Sequence, residues 1–501
     1  MLIGGVDVGT TGCKLTVYNE KGEFISNVYE EYNASRADGE HEIDASAIFE
    51  AVCKIIKKTS EKYSDLTAIG ITTFGETFTV LDENDDVLMP SMLYTDPRGK
   101  KETQELCDIL GEKRITYISG AKPNQMYSVP KIMWIKRNKP EIYEKIKHIL
   151  LMEDFIVYKL TGKANIDYSL AARTMGFDIR NKCWSKEIFD AAGIDMSLMS
   201  TPVPTGSLAG EILHDIAKKL GVSSHLKIVN GCHDQIAAAL GAGVFEVGQA
   251  VDGTGTVECI TPMFDEIPEN EQLYEEGYAV VPYVFDNTYV CYAVLFTGGA
   301  VLKWYRDNFA KLEMKEAELS GENVYASLDS KIPEEPTGIL VMPHFAGSGN
   351  PYMDNSSKAV IAGLTLENTD YDFYKALMEG VTYEIMLNIE HFEGFGIKPQ
   401  TLYATGGGAS SPKWLQIKSD ILNRPIVSLE AKEAGAAGTC MMVAVATGIC
   451  KNLDEAKRLF VKEKKTYMPD VKREKIYKKY FSAYKKLYSA VRPVIGEVYD
   501  E

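Results

Sequence analysis

Two short turns constrain this chain more than any other feature. Asp7-Val8-Gly9-Thr10-Thr11 lies between the strand-like runs Leu2 to Val8 and Lys14 to Tyr18. Asp252-Gly253-Thr254-Gly255-Thr256 follows the run from Gln249 and leads into a strand through Ile260. Glycine permits the tight reversal, and each turn exposes backbone N–H groups and hydroxyls to an anion. One such turn is ordinary hairpin chemistry. Two at matching places in two halves predict a pair of α/β domains facing each other across a central cleft, with phosphates gripped from both sides.

The rest of the pattern agrees with that layout. A hairpin is expected from Lys14 to Tyr18 and Phe24 to Tyr29, joined at Asn19-Glu20-Lys21-Gly22. A helix from about Asp44 places Ile48, Phe49, Val52, Ile55 and Ile56 on one apolar face. A later hairpin turns at Asp286-Asn287. At 501 residues the chain is too long for one ordinary core. The break is placed between 246 and 247, giving domains 1–246 and 247–501.

The net charge of −17 argues against nucleic acid or an anionic membrane as partner, since a concentrated basic patch is missing. Nine scattered cysteines show no metal-ligand spacing and no disulfide framework, which suits a reducing cytoplasm. The start, MLIGGVDVGTTG, enters a strand directly and lacks the basic and apolar regions of a signal peptide. Ala434 to Cys450 is the longest small or apolar stretch, and it reads as a buried helix broken by glycines.

Two further turns carry candidate chemistry. Thr405-Gly406-Gly407-Gly408-Ala409-Ser410-Ser411-Pro412 follows a short apolar run and precedes a helix from about Pro412 to Leu422, with Ser411 as cap and Pro412 in the first turn. Such a helix start receives a nucleotide phosphate or ribose. It is neither a Walker A loop nor a GxGxxG fingerprint. Ile228 to Gly243 reads IVNGCHDQIAAALGAG, a strand breaking at glycine and continuing into an alanine-rich helix. Asp234 at that break is either a helix cap or a base that takes a proton from a hydroxyl during phosphoryl transfer.

Together these residues resemble the FGGY carbohydrate kinases, relatives of heat-shock chaperone ATPases and actin. Met126-Tyr127-Ser128-Val129-Pro130-Lys131-Ile132-Met133-Trp134-Ile135-Lys136-Arg137-Asn138 matches the family's first pattern. Ala359 to Glu379, with Gly363-Leu364, Asp372-Phe373 and Ala376 to Glu379, similarly satisfies the second. The resemblance implies two actin-like, ribonuclease H-like domains with mixed sheets flanked by helices, and a kinase that uses ATP and Mg²⁺. It places Asp7, Thr10, Thr11 and Lys14 in the first phosphate loop, with Asp7 reaching Mg²⁺ through water. Thr254, Gly255 and Thr256 would form the second phosphate loop. Gly407, Gly408, Ala409 and Asn423 would surround adenosine. Asp234 would be the general base.

The substrate strip is expected at Thr72-Thr73-Phe74-Gly75-Glu76-Thr77 and Tyr94-Thr95-Asp96-Pro97-Arg98. A carboxylate pairs with vicinal hydroxyls and an aromatic lies on the apolar face of a sugar. Gly75, Glu76, Asp96, Arg98, His233 and Asp234 are the candidates to touch it. The bland alternatives are a solvated Glu76, a structural Asp96–Arg98 ion pair and a His233 that only flanks the acid. The family's glycerol kinases carry Arg-Glu where this chain has Gly75-Glu76, and xylulokinases carry Met-His. Thr73-Phe74-Gly75 resembles L-fuculokinases. A ketose of five or six carbons, xylulose- or L-fuculose-like, is therefore the leading substrate class and a polyol the second. An actin-like or chaperone-like ATPase switch is the reading from another class. The Tyr-rich tail from Tyr477 to Tyr488 packs either on its own chain or on a second copy in a homodimer.

Overall fold

Leu2–Val8 is buried along nearly its whole length, as a strand with neighbours on both sides must be. In the computed structural model, which describes every residue except Asp38, Ala431, Lys432, Asp500 and Glu501, it pairs antiparallel with Gly12–Asn19 and parallel with Leu66–Thr73. Leu66–Thr73 pairs in parallel with Lys227–His233, while Phe24–Glu31 and Leu208–Glu211 close the two edges antiparallel. The result is a mixed six-stranded sheet. The expected hairpin and its turn are present, with the Gly22 N–H donating to the Asn19 carbonyl at 3.0 Å.

The helix expected from Asp44 runs Ala45–Lys62 and buries Ile48, Val52, Ile55 and Ile56. Asp44 caps it by accepting from the Ser46 N–H at 2.8 Å.

The chain divides into two compact units. The first holds Met1–Gly243, Ala279–Val290 and Glu433–Lys462; the second holds Val244–Tyr278, Cys291–Lys432 and Glu463–Glu501. The second unit has its own mixed sheet. Gln249–Thr254 pairs antiparallel with Glu258–Phe264 and parallel with Thr401–Gly406, which pairs in parallel with Ile426–Leu429, and Glu463–Tyr467 follows antiparallel. The 25-residue helix Asp370–Gly394 opens with a capping box between Thr369 and Asp372, so Asp372 of the second sequence pattern serves helix initiation. Among the described residues no helix is long and apolar enough to cross a membrane.

One helix organises the first unit. Ala434–Ala446 opens with a run of small residues, Ala434 to Cys440, and is buried nearly throughout. It lies on the sheet where Gly5 and Gly70 leave room: a Cβ on Gly5 would stand 2.9 Å from the Ala436 carbonyl oxygen, and one on Gly70 would stand 2.9 Å from Thr439 Cγ2. Thr439 and Thr72 hydroxyls hydrogen-bond at 2.7 Å across that contact. The same helix meets Asp234–Ala242 backbone to backbone. A Cβ on Gly241 would fall 1.8 Å from the Ala434 carbonyl oxygen, and one on Gly438 would fall 2.0 Å from that of Ala237. Close-packed interiors offer no slack for such an atom.

Gly438→Ala is therefore expected to lower the thermal unfolding midpoint. Overpacking against backbone costs about 1–3 kcal/mol, more than the roughly 1 kcal/mol that alanine adds in helix propensity. A variant that melts at or above the wild-type temperature would contradict this packing.

Candidate functional site

The register of the first sheet brings the candidate residues to one edge. Asp7 lies opposite Thr72, Val8 opposite Thr73, and His233 opposite Thr73. The three parallel strands thus end level, and Asp7, Gly75-Glu76 and His233-Asp234 leave the sheet from their carboxyl ends, where open α/β sheets bind ligands.

Asp234 is the first residue of its helix. The cap position is His233, and no side chain makes a capping bond there, so Asp234 is not spent as a cap. Its Oδ1 is covered and has no hydrogen-bond partner, while the side chain as a whole stays 40% exposed. Burial pushes its carboxyl up to about 6, against the pull of the Gln235 N–H and the Arg173 cation. His233 stands beside it, with Nε2 3.3 Å from Asp234 Oδ1. Burial and the nearby Arg173 hold that imidazole down to about 3, so it is neutral near pH 7 and the contact is not an ion pair. The His233 N–H donates to Ser169 Oγ at 2.9 Å, and Ser169 in turn donates to the buried Asp167 carboxylate at 3.0 Å.

Asp7 is also pushed up to about 6, first by burial and then by the Asp234 charge, with Lys14 opposing. Lys14 Nζ donates to Glu433 Oε2 at 2.5 Å, so a carboxylate at the start of the small-residue helix holds this ammonium. A desolvated carboxyl at Asp7, with the Asp234 charge adding to its proton affinity, suits a divalent cation. Mg²⁺ needs only one or two carboxylates when phosphates and waters complete its shell, and among the described residues no cluster of three or more metal-ligating side chains stands as an alternative.

The first Gly-Thr turn is closed by the Gly9 N–H donating to the Gly12 carbonyl at 2.9 Å. Tyr32 Oη donates to the Gly9 carbonyl at 2.5 Å. Thr10 and Thr11 line a cleft of about 490 Å³ together with Tyr32, Arg36, Tyr94 and Thr95. The first turn and the second half of the substrate strip therefore share one cavity.

Glu76 is buried and takes a left-handed backbone at φ 65°. Arg173, at the end of the helix Tyr168–Ala172, donates from Nε to Glu76 Oε1 at 2.6 Å and pairs with the same oxygen through Nη2. Its guanidinium lies over the Tyr127 ring, 5.2 Å from the centroid. Glycine at 75 is what admits it: a Cβ there would meet Arg173 Cγ at 3.1 Å and His233 Cδ2 at 3.2 Å. Arg173 is not among the residues expected from the sequence, where the one signal for it is that a buried glutamate needs a cation.

Asp96 and Arg98 form the ion pair that was the alternative to substrate contact. Asp96 is buried and accepts from Arg98 Nε at 2.8 Å, from Arg98 Nη2 at 2.7 Å and from the His41 N–H at 2.7 Å. Burial works to raise its pKa, but these donors hold it below the ordinary carboxylate range. Arg98 also reaches Glu42 at 2.7 Å. The first sequence pattern braces both parts of the strip. Ser128 Oγ donates to the Glu76 carbonyl at 2.6 Å, and Lys131 Nζ donates to the carbonyls of Leu93 at 2.6 Å and Asp96 at 3.1 Å.

In the second unit the strand runs two residues into the expected turn, to Thr254, which is paired to Glu258. The cause is a buried cation. Lys418 Nζ donates to Asp252 Oδ2 at 2.6 Å, to Glu258 Oε1 at 2.6 Å and to Thr254 Oγ1 at 2.7 Å, while Thr254 Oγ1 donates to Glu258 Oε1 at 2.8 Å. The Thr254 hydroxyl therefore faces inward, and the exposed groups of this turn belong to Gly255 and Thr256. Burial pushes Glu258 well above the usual carboxylate range, Lys418 opposing and Asp252 assisting. Gly406 and Gly408 pack on Thr254, where a Cβ on either would come within 2.4 Å of it. The second Gly-Thr turn and the third glycine cluster thus adjoin.

The helix after that cluster runs Pro412–Leu422 with Ser411 as cap, as expected. Asn423 ends it in a left-handed conformation, with its N–H bonded to the Ser419 carbonyl. An 11-residue helix, roughly 16 Å long, separates it from Gly407 to Ala409. The structure does not bring Asn423 together with those residues.

Models of the FGGY family of carbohydrate kinases match this chain twice, the N-terminal domain at residues 2–241 and the C-terminal domain at residues 271–447. A xylulose kinase of Bacillus subtilis (strain 168) is 26% identical over 97% of this chain and 96% of its own length. A gluconokinase of Bacillus licheniformis is 27% identical over 90% of this chain and 88% of its own. The solved structure of a ligand-bound xylulose kinase from Lactobacillus acidophilus shares the fold, with a TM-score of 0.88 over 99% of both chains at 24% identity.

Lys418→Met should be among the most damaging single changes in the second unit. Removing one member of a buried ion pair costs about 3–5 kcal/mol, because the charges left behind have lost their partner. Denaturant unfolding would register this as a lowered midpoint, and an unchanged midpoint would contradict it.

Proposed function

Because this chain belongs to the FGGY family of carbohydrate kinases, and so is a phosphotransferase that moves phosphate from ATP to a hydroxyl acceptor, we propose that its acceptor is a small ketose, xylulose-like or L-fuculose-like, and that Asp234 is the general base. The observation that carries the assignment of the base is the state of that carboxyl. It sits at the level ends of three parallel strands, is not used as a cap, and has an unpartnered oxygen.

In this mechanism the ionised Asp234 accepts the proton of the sugar hydroxyl as that oxygen attacks the γ-phosphorus in line, and ADP leaves with the bonding electrons. Thr10 and Thr11 offer hydroxyls and backbone N–H groups to phosphate oxygens, and the second Gly-Thr turn offers those of Gly255 and Thr256. Gly407 to Ala409 receive the adenosine side of ATP. We assign the sugar and the first phosphate loop to the N-terminal domain and the nucleotide to the C-terminal one. Asp7 would hold Mg²⁺ through water, and the ion would supply charge neutralisation on the phosphates. Glu76, held by Arg173, presents its carboxylate region to sugar hydroxyls, and Tyr94 offers an aromatic face. Asp96 and Arg98 brace that strip through each other.

The xylulose kinase and gluconokinase relatives support a sugar-derived acceptor. One observation favours the second reading, a polyol kinase. Arg173 lays its aliphatic stem beside Gly75 and its guanidinium against Glu76, so an arginine–glutamate pair missing from consecutive positions is assembled from two elements.

An ADP-release assay across xylulose, L-fuculose, L-rhamnulose, ribulose, gluconate, glycerol and erythritol separates the two readings. One ketose with the highest kcat/KM is expected, and a clear preference for glycerol or erythritol would replace it with the polyol reading. Asp234→Asn should lower kcat by about 10²- to 10⁴-fold while the protein still binds sugar and nucleotide. Near-normal turnover would remove Asp234 from the mechanism. Only the ionised carboxylate accepts a proton, so kcat/KM should climb with pH through a limb near 6. A limb near the ordinary carboxylate value of roughly 4 would show that the buried environment does not act on the base.

A further inference from the structure

The proposed mechanism gives the buried cation Arg173 of the first unit no direct part in the reaction. Arg173 extends from the end of the helix Tyr168–Ala172 across Gly75, in the one place where the strip lacks a side chain. Glu76 would be costly to bury alone, and Arg173 meets it through two nitrogens on one carboxylate oxygen. Tyr127 supports the guanidinium from its face, and Ser128 holds the Glu76 carbonyl at 2.6 Å. His233, next to the proposed base, also approaches Gly75, where a Cβ would lie 3.2 Å from its Cδ2. The left-handed backbone of Glu76, which a non-glycine residue adopts only when its surroundings require it, is thus clamped at both its carboxylate and its carbonyl.

We propose that Arg173 is a positioning residue for the acceptor: its planar fork fixes the Glu76 carboxylate in the orientation that receives the sugar, beside the His233-Asp234 turn. The proposal rests on the carbohydrate-kinase reading above and adds the residue that sets acceptor affinity. The guanidinium of Arg173 engages Glu76 of the sugar strip and the Tyr127 ring. Its loss should be felt in sugar binding and not in ATP binding.

The test uses the full-length enzyme with its best sugar. Arg173→Met keeps most of the length and removes the charge, whereas Arg173→Lys keeps the charge and removes the planar fork. Arg173→Met is expected to raise the KM for sugar by about tenfold or more, with the KM for ATP within about twofold of wild type. Arg173→Lys should fall between the two, and adding Glu76→Gln to Arg173→Met should cost less than the product of the single effects, because the two side chains act as one unit. A merely structural role would reduce the amount of folded enzyme and so the apparent kcat, without moving the sugar KM. A wild-type sugar KM in either variant overturns the proposal. Should Arg173→Met not fold, Arg173→Lys decides alone by the same criterion. A wild-type enzyme that phosphorylates no sugar or polyol would instead overturn the functional reading on which the proposal rests.

Discussion

The first unit depends on an approach between two helices that only glycine permits. Ala434–Ala446 reaches the sheet at Gly5 and Gly70 and reaches the helix Asp234–Ala242 at Gly241 and Gly438, each contact being close enough to exclude a Cβ. That contact fixes the axis of the helix on which Asp234 is the first residue. Burial of alanine and glycine contributes little area per residue, so the packing works through closeness and not through bulk. Glu433, at the start of the same helix, carries the constraint into the site by holding Lys14.

Electrostatics then differentiates the carboxyls. Asp7 and Asp234 are desolvated, and the charge of Asp234 adds to the rise at Asp7, leaving both protonatable near pH 6. Asp96 is no less buried, yet it receives donors from Arg98 and His41 and stays ionised. The contrast assigns work: a saturated carboxylate braces structure, and an under-satisfied one is available for chemistry. In the second unit the same logic runs through Lys418, which draws Asp252, Thr254 and Glu258 inward and leaves Gly255 and Thr256 as the exposed part of the turn.

Much of this was readable from residues that carry local instructions. An apolar run ending at a glycine-threonine turn marks the strand Leu2–Val8 and its hairpin, Asp44 marks the start of the first helix, and Ser411-Pro412 marks the start of another. The rest depends on tertiary placement. The Thr254 hydroxyl is local to its turn, but Lys418, which turns it inward, comes from a helix far along the sequence. Asn423 is near Gly407 to Ala409 in sequence, but the length of an intervening helix separates them. Arg173 carries no local signal, because its partner, Glu76, lies on another element.

The sequence by itself determined the α/β class, the glycine-threonine turns, the acid at a strand-to-helix break and the family to which these belong, because each is written in neighbouring residues under steric and hydrogen-bonding rules that act over one turn of chain. Only the tertiary structure decided which carboxylates are satisfied and which are left open. It brought Arg173 to Glu76 and Lys418 to Thr254, and it left Asp234 without a partner on one oxygen. Burial and ion pairing depend on what arrives from elsewhere in the chain, and no local pattern carries that information.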